Sequence, residues 1–197
     1  PKNILLPKEL KKLSESLAVT YYANLSVFRS APDTWAIDQV FPIMPIHRLS
    51  KEPNKLGHFA DLTCDSDGKL DQFIDNGKIK NLLPLHEFNQ DEKYLIGLFL
   101  GGAYQEVMGN LHNLFGSTNA VHIRFTENGN YKVEHVIRGN TKSNVLEYLE
   151  HDPEILLERL RKSSESAIQG GHLKIHDAQK LIEHVEASLR QSTYLQS

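Results

Sequence analysis

Only one of the 197 residues, Cys64, is a cysteine. No internal disulfide can form, so a reducing, cytoplasmic setting is expected. Basic residues are not in excess. Lys and Arg number 22 against 25 Asp and Glu, a formal net charge of −3, and no basic cluster gathers on any predicted face. Nucleic acid and anionic membranes are disfavoured as partners on that ground. No apolar run reaches bilayer-spanning length, and no signal peptide is visible. The sequence opens on Pro1 instead of methionine, which points to a fragment or a processed chain. Internal repeats and low-complexity segments are also missing. What is present is ordinary for a globular protein, 40% hydrophobic and 24% charged, with enough chain for one or two domains.

Three regions follow from periodicity and punctuation. Pro7 to Ala18 reads as an amphipathic helix, with proline at its first position and Leu10, Leu13 and Leu17 at helical spacing. From Val19 to Asn140 the chain is strand-rich. "VTYYANLSVF" is aromatic and β-branched, and "HFADLTC" alternates up to Cys64. Pro42 and Pro45 make "WAIDQVFPIMPI" an edge or broken strand. Asn76-Gly77 and Asn128-Gly129, each between apolar stretches, predict hairpin turns. "KYLIGLFLGGAY" is nearly continuous in its apolar residues and predicts a strand buried on both faces. From Thr141 onward strand signals vanish, and two or three helices are expected. Asp152 caps one that starts at Pro153, and Gly170-Gly171 ends it. The fold class is therefore α+β: an antiparallel β-sandwich or barrel, then a small C-terminal helical bundle, with a short N-terminal helix. Residues 1–18 end a helical segment, 19–140 form the β domain and 141–197 the helical domain.

The stretch with the most chemistry is "DLTCDSDGKLD", where Asp61, Asp65, Asp67 and Asp71 surround Cys64. Cys64 is either a small buried apolar side chain, as many lone cysteines are, or a functional thiol. Neighbouring carboxylates disfavour a thiolate, which argues against a nucleophile and suits a proton donor. As a calcium loop the stretch fails, because Gly68 comes two residues early and Asn76 stands where a glutamate is needed. The plainer reading is a turn. The ten histidines are dispersed, and no zinc set emerges from their spacing. No metal ligand is assigned. Gly97 to Gly116 is glycine-rich after a strand but is no dinucleotide fingerprint, since no βαβ unit follows. Tyr104 stands just beyond its double glycine, either a ligand contact or an interface aromatic.

"DLTCDSDG", "GGAYQEVMGNLHNLFG", "YYANLSVFRSAPDTWAIDQVFPIMP" and the terminal "TYL" together resemble the C-terminal part of the bacterial biosynthetic arginine decarboxylase family. That family lies in the alanine racemase-like, ornithine decarboxylase-like class of pyridoxal phosphate enzymes. The resemblance covers nearly the whole chain. It implies conversion of L-arginine to agmatine and carbon dioxide in polyamine biosynthesis. It also implies pyridoxal 5′-phosphate and associated Mg2+, and an N-terminal α/β barrel portion carrying the cofactor lysine. The active site implied is shared between subunits of a homodimer, which can pair further into a dimer of dimers. Cys64 then matches the family cysteine that protonates the α-carbon, Asp65 the aspartate that binds the substrate's distal cation, and Tyr104 a tyrosine beside the cofactor and its phosphate. Asp67 is a weaker candidate to assist.

Two departures stand out. Leu25 follows "YYAN", where the ornithine enzymes carry an acidic residue, so a guanidinium must be held differently here. The Schiff-base lysine, the phosphate-binding glycine loop and the partner of the pyridine nitrogen are not in this sequence, so the isolated chain is expected to be inactive. The alternative is a non-catalytic β domain used for oligomer assembly or partner binding.

Overall fold

The computed structural model describes residues 13 and 17–196. The helix expected over Pro7 to Ala18 lies almost wholly outside them. The described chain is α+β and divides into two compact units, residues 1–112 and 113–197.

The first unit is built on a four-stranded sheet. Its centre is β3 (Lys55–Ala60), flanked by β1 (Val19–Tyr22) on one side and by β4 (Lys69–Leu70) and β7 (Leu83–Leu85) on the other. The β1–β3 pair is parallel, with Val19 opposite Gly57 and Tyr22 opposite Ala60. A parallel pair needs a crossover. Here it holds α1 (Val27–Ser30), α2 (Pro32–Ala36) and β2 (Ile43–Pro45). The expected sandwich is thus not wholly antiparallel, and no closed barrel occurs among the described residues. Gly57 makes the parallel contact possible, because a Cβ there would meet the Val19 carbonyl at 2.6 Å. The same face of β3 carries Phe59 into a core with Val27, Phe41, Phe73 and Leu85.

"VTYYANLSVF" does not stay extended. The strand ends at Tyr22, and Ser26 starts α1 by accepting a hydrogen bond from the Arg29 N–H at 3.3 Å. "KYLIGLFL" also departs from expectation. Only β8 (Ile96–Leu98) forms, and it pairs with β2 alone, Ile43 opposite Leu98. A two-stranded ribbon cannot cover both faces, so Ile96, Gly97 and Leu98 are only half-buried. β5 (Phe73–Asp75) and β6 (Lys78–Lys80) make the expected hairpin, with Asn76 at φ 49° and Gly77 at φ 73°.

Arg48 and Glu92 fasten the loop after β2 to the segment before β8. The guanidinium holds the Glu92 carboxylate, His47 Nε2 lies 2.6 Å from its other oxygen, and Arg48 also lies over the Tyr94 ring at 5.5 Å. Hydrogen bonds from Arg48, then from His47, pull the Glu92 carboxyl down to about 2. A depressed carboxyl contributes stability above its unfolded value and loses it as pH falls through the folded one. Glu92→Gln should therefore lower the thermal midpoint of the full-length polypeptide at pH 6. The gap to wild type should close between about pH 4.5 and pH 2. A gap constant across that window would contradict the assignment.

In the second unit β9 (Ala120–Phe125) and β10 (Tyr131–Ile137) pair antiparallel. Their turn differs from the first hairpin: Gly129 alone takes a positive φ, 75°, and Thr126 N–H bonds the Asn130 carbonyl across three residues. The register shifts between Val133 and His135. That bulge at Glu134 switches β10's parity, so Val121, Ile123 and Phe125 share a face with Val136, Val133 and Tyr131. Three helices follow as the sequence predicts. α4 (Lys142–Tyr148) has a capping box of Thr141 and Asn144. α5 (Pro153–Gln169) is capped by Asp152, which accepts the Glu154 N–H at 2.8 Å. α6 (Ile175–Leu189) packs back on α5. The terminal "TYL" is pinned: the Tyr194 hydroxyl donates to the Gly116 carbonyl at 2.8 Å, and the Gly116 N–H donates to Thr193 Oγ1 at 2.9 Å.

Candidate functional site

β3 stops at Ala60, four residues short of the expected end, because Asp61 turns inward. Asp61 is 3% exposed. Its Oδ2 accepts the Val27 N–H at 2.8 Å, and its Oδ1 accepts the Thr63 N–H at 2.7 Å and the Thr63 hydroxyl at 2.6 Å. The first bond satisfies a donor that helix α1 leaves open at its start. The Leu62 N–H donates to the Leu25 carbonyl at 3.0 Å, and Leu25 itself packs on the core. So the leucine that cannot bind a substrate cation anchors the loop instead. On the return side, Asp61 N–H bonds the Gly68 carbonyl at 2.8 Å. Gly68 must lack a Cβ, since one would stand 2.3 Å from Asp61 Oδ1 and 2.4 Å from Thr63 Oγ1.

This inward clamp lifts the tip of the loop outward. Cys64 is exposed, which removes the reading of a buried apolar cysteine. The ring of four carboxylates drawn by the sequence is not what forms. Asp61 is used on backbone and Thr63, and Asp71 pairs with Lys69 at 2.7 Å. Asp65 Oδ1 accepts the Asp67 N–H at 2.9 Å, which makes a local turn, and its Oδ2 lies 3.5 Å from His112 Nε2. Beside the loop, a cleft of about 270 Å³ is lined by Trp35, Asp38, Asp67 and Lys69 among others.

Tyr104 lies on α3 (Ala103–Met108). A different face of that helix is docked against the crossover. Gln105 is buried and makes two hydrogen bonds with Asp33, and Arg29 Nη1 donates to the Gly109 and Glu106 carbonyls. Tyr104 is thereby turned out and is 76% exposed. Helix α1 is the common anchor: Val27 N–H holds the Cys64 loop, and Phe28 and Arg29 hold the segment after α3. The structure joins Asp65 to His112 directly. Tyr104's helix and the Cys64 loop are each tied to α1. Asp61 and His112 escaped sequence reasoning, because neither local spacing nor periodicity marks a contact made across 34 or 47 residues.

Among the described residues no group of three or more His, Cys, Asp or Glu side chains is placed to hold a metal, and no helix is long and apolar enough to cross a membrane.

Residues 143–195 match the family of the arginine decarboxylase C-terminal helical extension. Biosynthetic arginine decarboxylase of Prochlorococcus marinus is 69% identical over 196 residues, all of this chain and 30% of that protein. The enzyme of Synechococcus is 68% identical over 97% of the chain. The crystal structure of the biosynthetic arginine decarboxylase SpeA from Campylobacter jejuni superposes with a TM-score of 0.78 at 34% identity. It covers 90% of this chain and 29% of that one. The chain spans about 30% of the length of the curated relatives it matches, and the part it matches is their C-terminal portion.

Proposed function

We propose that this chain, which corresponds along its length to the C-terminal portion of biosynthetic arginine decarboxylases, supplies three side chains to the decarboxylation of L-arginine to agmatine and carbon dioxide. The observation that carries the reading is the loop 61–68. Its buried clamp on Asp61 leaves Cys64 and Asp65 presented at a supported tip.

Asp65 accepts the substrate's guanidinium. That group is always charged and planar, and a carboxylate meets it with two parallel N–H···O bonds. Cys64 donates its thiol proton to the α-carbon after carbon dioxide departs. The electron pair left on that carbon takes the proton, and the sulfur regains one from solvent. When bound, pyridoxal 5′-phosphate supplies the electron sink for that pair. Of the residues here, Tyr104 fits it: its phenol is turned outward after Gly101-Gly102, and a Cβ at Gly102 would meet nothing, so phosphate or ring can approach. The cofactor lysine comes from the N-terminal barrel portion. Mg2+ finds no donor set among the described residues, and no step runs through it. The site is completed across subunits of a homodimer or dimer of dimers, in the cytoplasm.

In the full-length enzyme Asp65→Asn is expected to raise KM for arginine by about tenfold or more. That is the size of a lost hydrogen-bonded charge contact, roughly 1.5–3 kcal/mol. Steady-state kinetics with agmatine as the measured product decide it. An unchanged KM would remove Asp65 from substrate binding.

A second reading, a non-catalytic β domain for assembly, draws on the β9–β10 face, where Phe125 is 80% exposed beside Tyr131 and Val136. Sedimentation of a Phe125→Ser variant separates the two. Loss of the oligomer with agmatine formation retained supports assembly as that face's role.

A further inference from the structure

We propose that His112 is a positioning residue that orients the Asp65 carboxylate for the substrate's guanidinium. The inference rests on the reading of Asp65 given above. The two oxygens of Asp65 are held from different directions. Oδ1 accepts the Asp67 N–H at 2.9 Å, and Oδ2 lies 3.5 Å from His112 Nε2. Two restraints set the plane of the carboxylate. A planar two-point contact with a guanidinium requires that plane to be set, and a carboxylate already oriented loses less freedom on binding.

His112 is itself held from three sides. Its ring lies against Phe28 with centroids 4.2 Å apart, and Phe28 is buried. Its N–H donates to Asn110 Oδ1 at 2.8 Å, while the Asn110 N–H donates to the Phe28 carbonyl at 3.1 Å. Just upstream, Gly109 passes so close to α1 that a Cβ would stand 2.1 Å from the Arg29 carbonyl. The segment 109–112 is therefore fixed to the same helix that anchors the Asp61 clamp. The imidazole and the carboxylate are brought together by one rigid element. Asp71 is taken by Lys69, whose charge also acts on Asp67. His112 thus selects Asp65 from the acidic loop.

The test uses the full-length enzyme. His112→Phe keeps an aromatic ring on Phe28 and removes the nitrogen facing Asp65. His112→Gln returns an amide nitrogen to about the place of Nε2. Phe is expected to raise KM for arginine about threefold to fivefold, the scale of a half-exposed charge contact, with kcat and the thermal midpoint little changed. Gln should restore KM. Because His112 acts through Asp65, the double variant with Asp65→Asn should be no worse than Asp65→Asn alone. An unmoved KM in His112→Phe, or a double variant whose KM rises by the product of the two single effects, overturns the proposal. If Asp65→Asn raises KM and His112→Phe does not, only the role of His112 fails. If Asp65→Asn has no effect, the substrate-binding reading fails and this one with it. Should His112→Phe not fold, His112→Asn, whose amide is too short to reach Asp65, carries the same expectations.

Discussion

Cys64→Ala in the full-length enzyme is expected to cut kcat for agmatine by about 10²- to 10⁴-fold, the usual worth of a positioned proton donor. KM for arginine should stay nearly constant, because the proposed guanidinium contact belongs to Asp65 at the next position. The product balance should change as well. In the proposed order carbon dioxide leaves before the thiol acts, so agmatine formed per carbon dioxide released should fall below one. Parallel assays of the two products read this directly. A variant with wild-type kcat and a ratio of one would remove Cys64 from the reaction. The thiol is exposed at the tip of a loop whose base is hydrogen-bonded, so alanine there opens no buried cavity and leaves the Asp61 clamp in place. A large kinetic loss with an unchanged thermal midpoint would therefore report chemistry and not folding.

Asp61→Ala should do the reverse and destabilise first. Its carboxylate is buried, and alanine would leave the N–H groups of Val27 and Thr63 without their acceptor. Each such group costs about 1–3 kcal/mol when stranded, so a total near 3 kcal/mol is expected. Asp61→Asn should recover little. An amide has one oxygen where the site asks for two, and its NH2 would face either the Val27 or the Thr63 N–H. Urea unfolding of the full-length polypeptide would show a lower midpoint at an unchanged slope. Turnover should also drop under conditions where the variant remains folded, because the same clamp carries Cys64 and Asp65. A midpoint within about 0.5 kcal/mol of wild type would show the clamp to be dispensable.

Local physics was readable along the chain. Asn76-Gly77 made its hairpin because two adjacent residues had to take positive φ. Asp152-Pro153 started α5, since a capping carboxylate and a fixed φ act within one turn. The resemblance also names Cys64, Asp65 and Tyr104 as site residues, and the kinetic variants proposed for Cys64 and Asp65 are what test that assignment. Burial was read less well. The apolar "KYLIGLFL" promised a central strand, yet β8 has a single partner, and the number of partners is not written in a strand's own composition.

The acidic loop divides the two kinds of information most clearly. Its sequence determined that a thiol and four carboxylates share eleven residues and that Asp and Gly make a turn there. It could not say which carboxylate faces inward, since all four are chemically alike. The tertiary structure decided that. β1 lies parallel to β3, so α1 arrives over the end of β3 with an open N–H on Val27. The carboxylate nearest that donor, Asp61, is buried by the bond. Across the loop, His112 packs against the same helix and meets Asp65. Hydrogen bonds and ion pairs between distant segments depend on where the backbone has already been placed. For that reason they enter only once the fold exists.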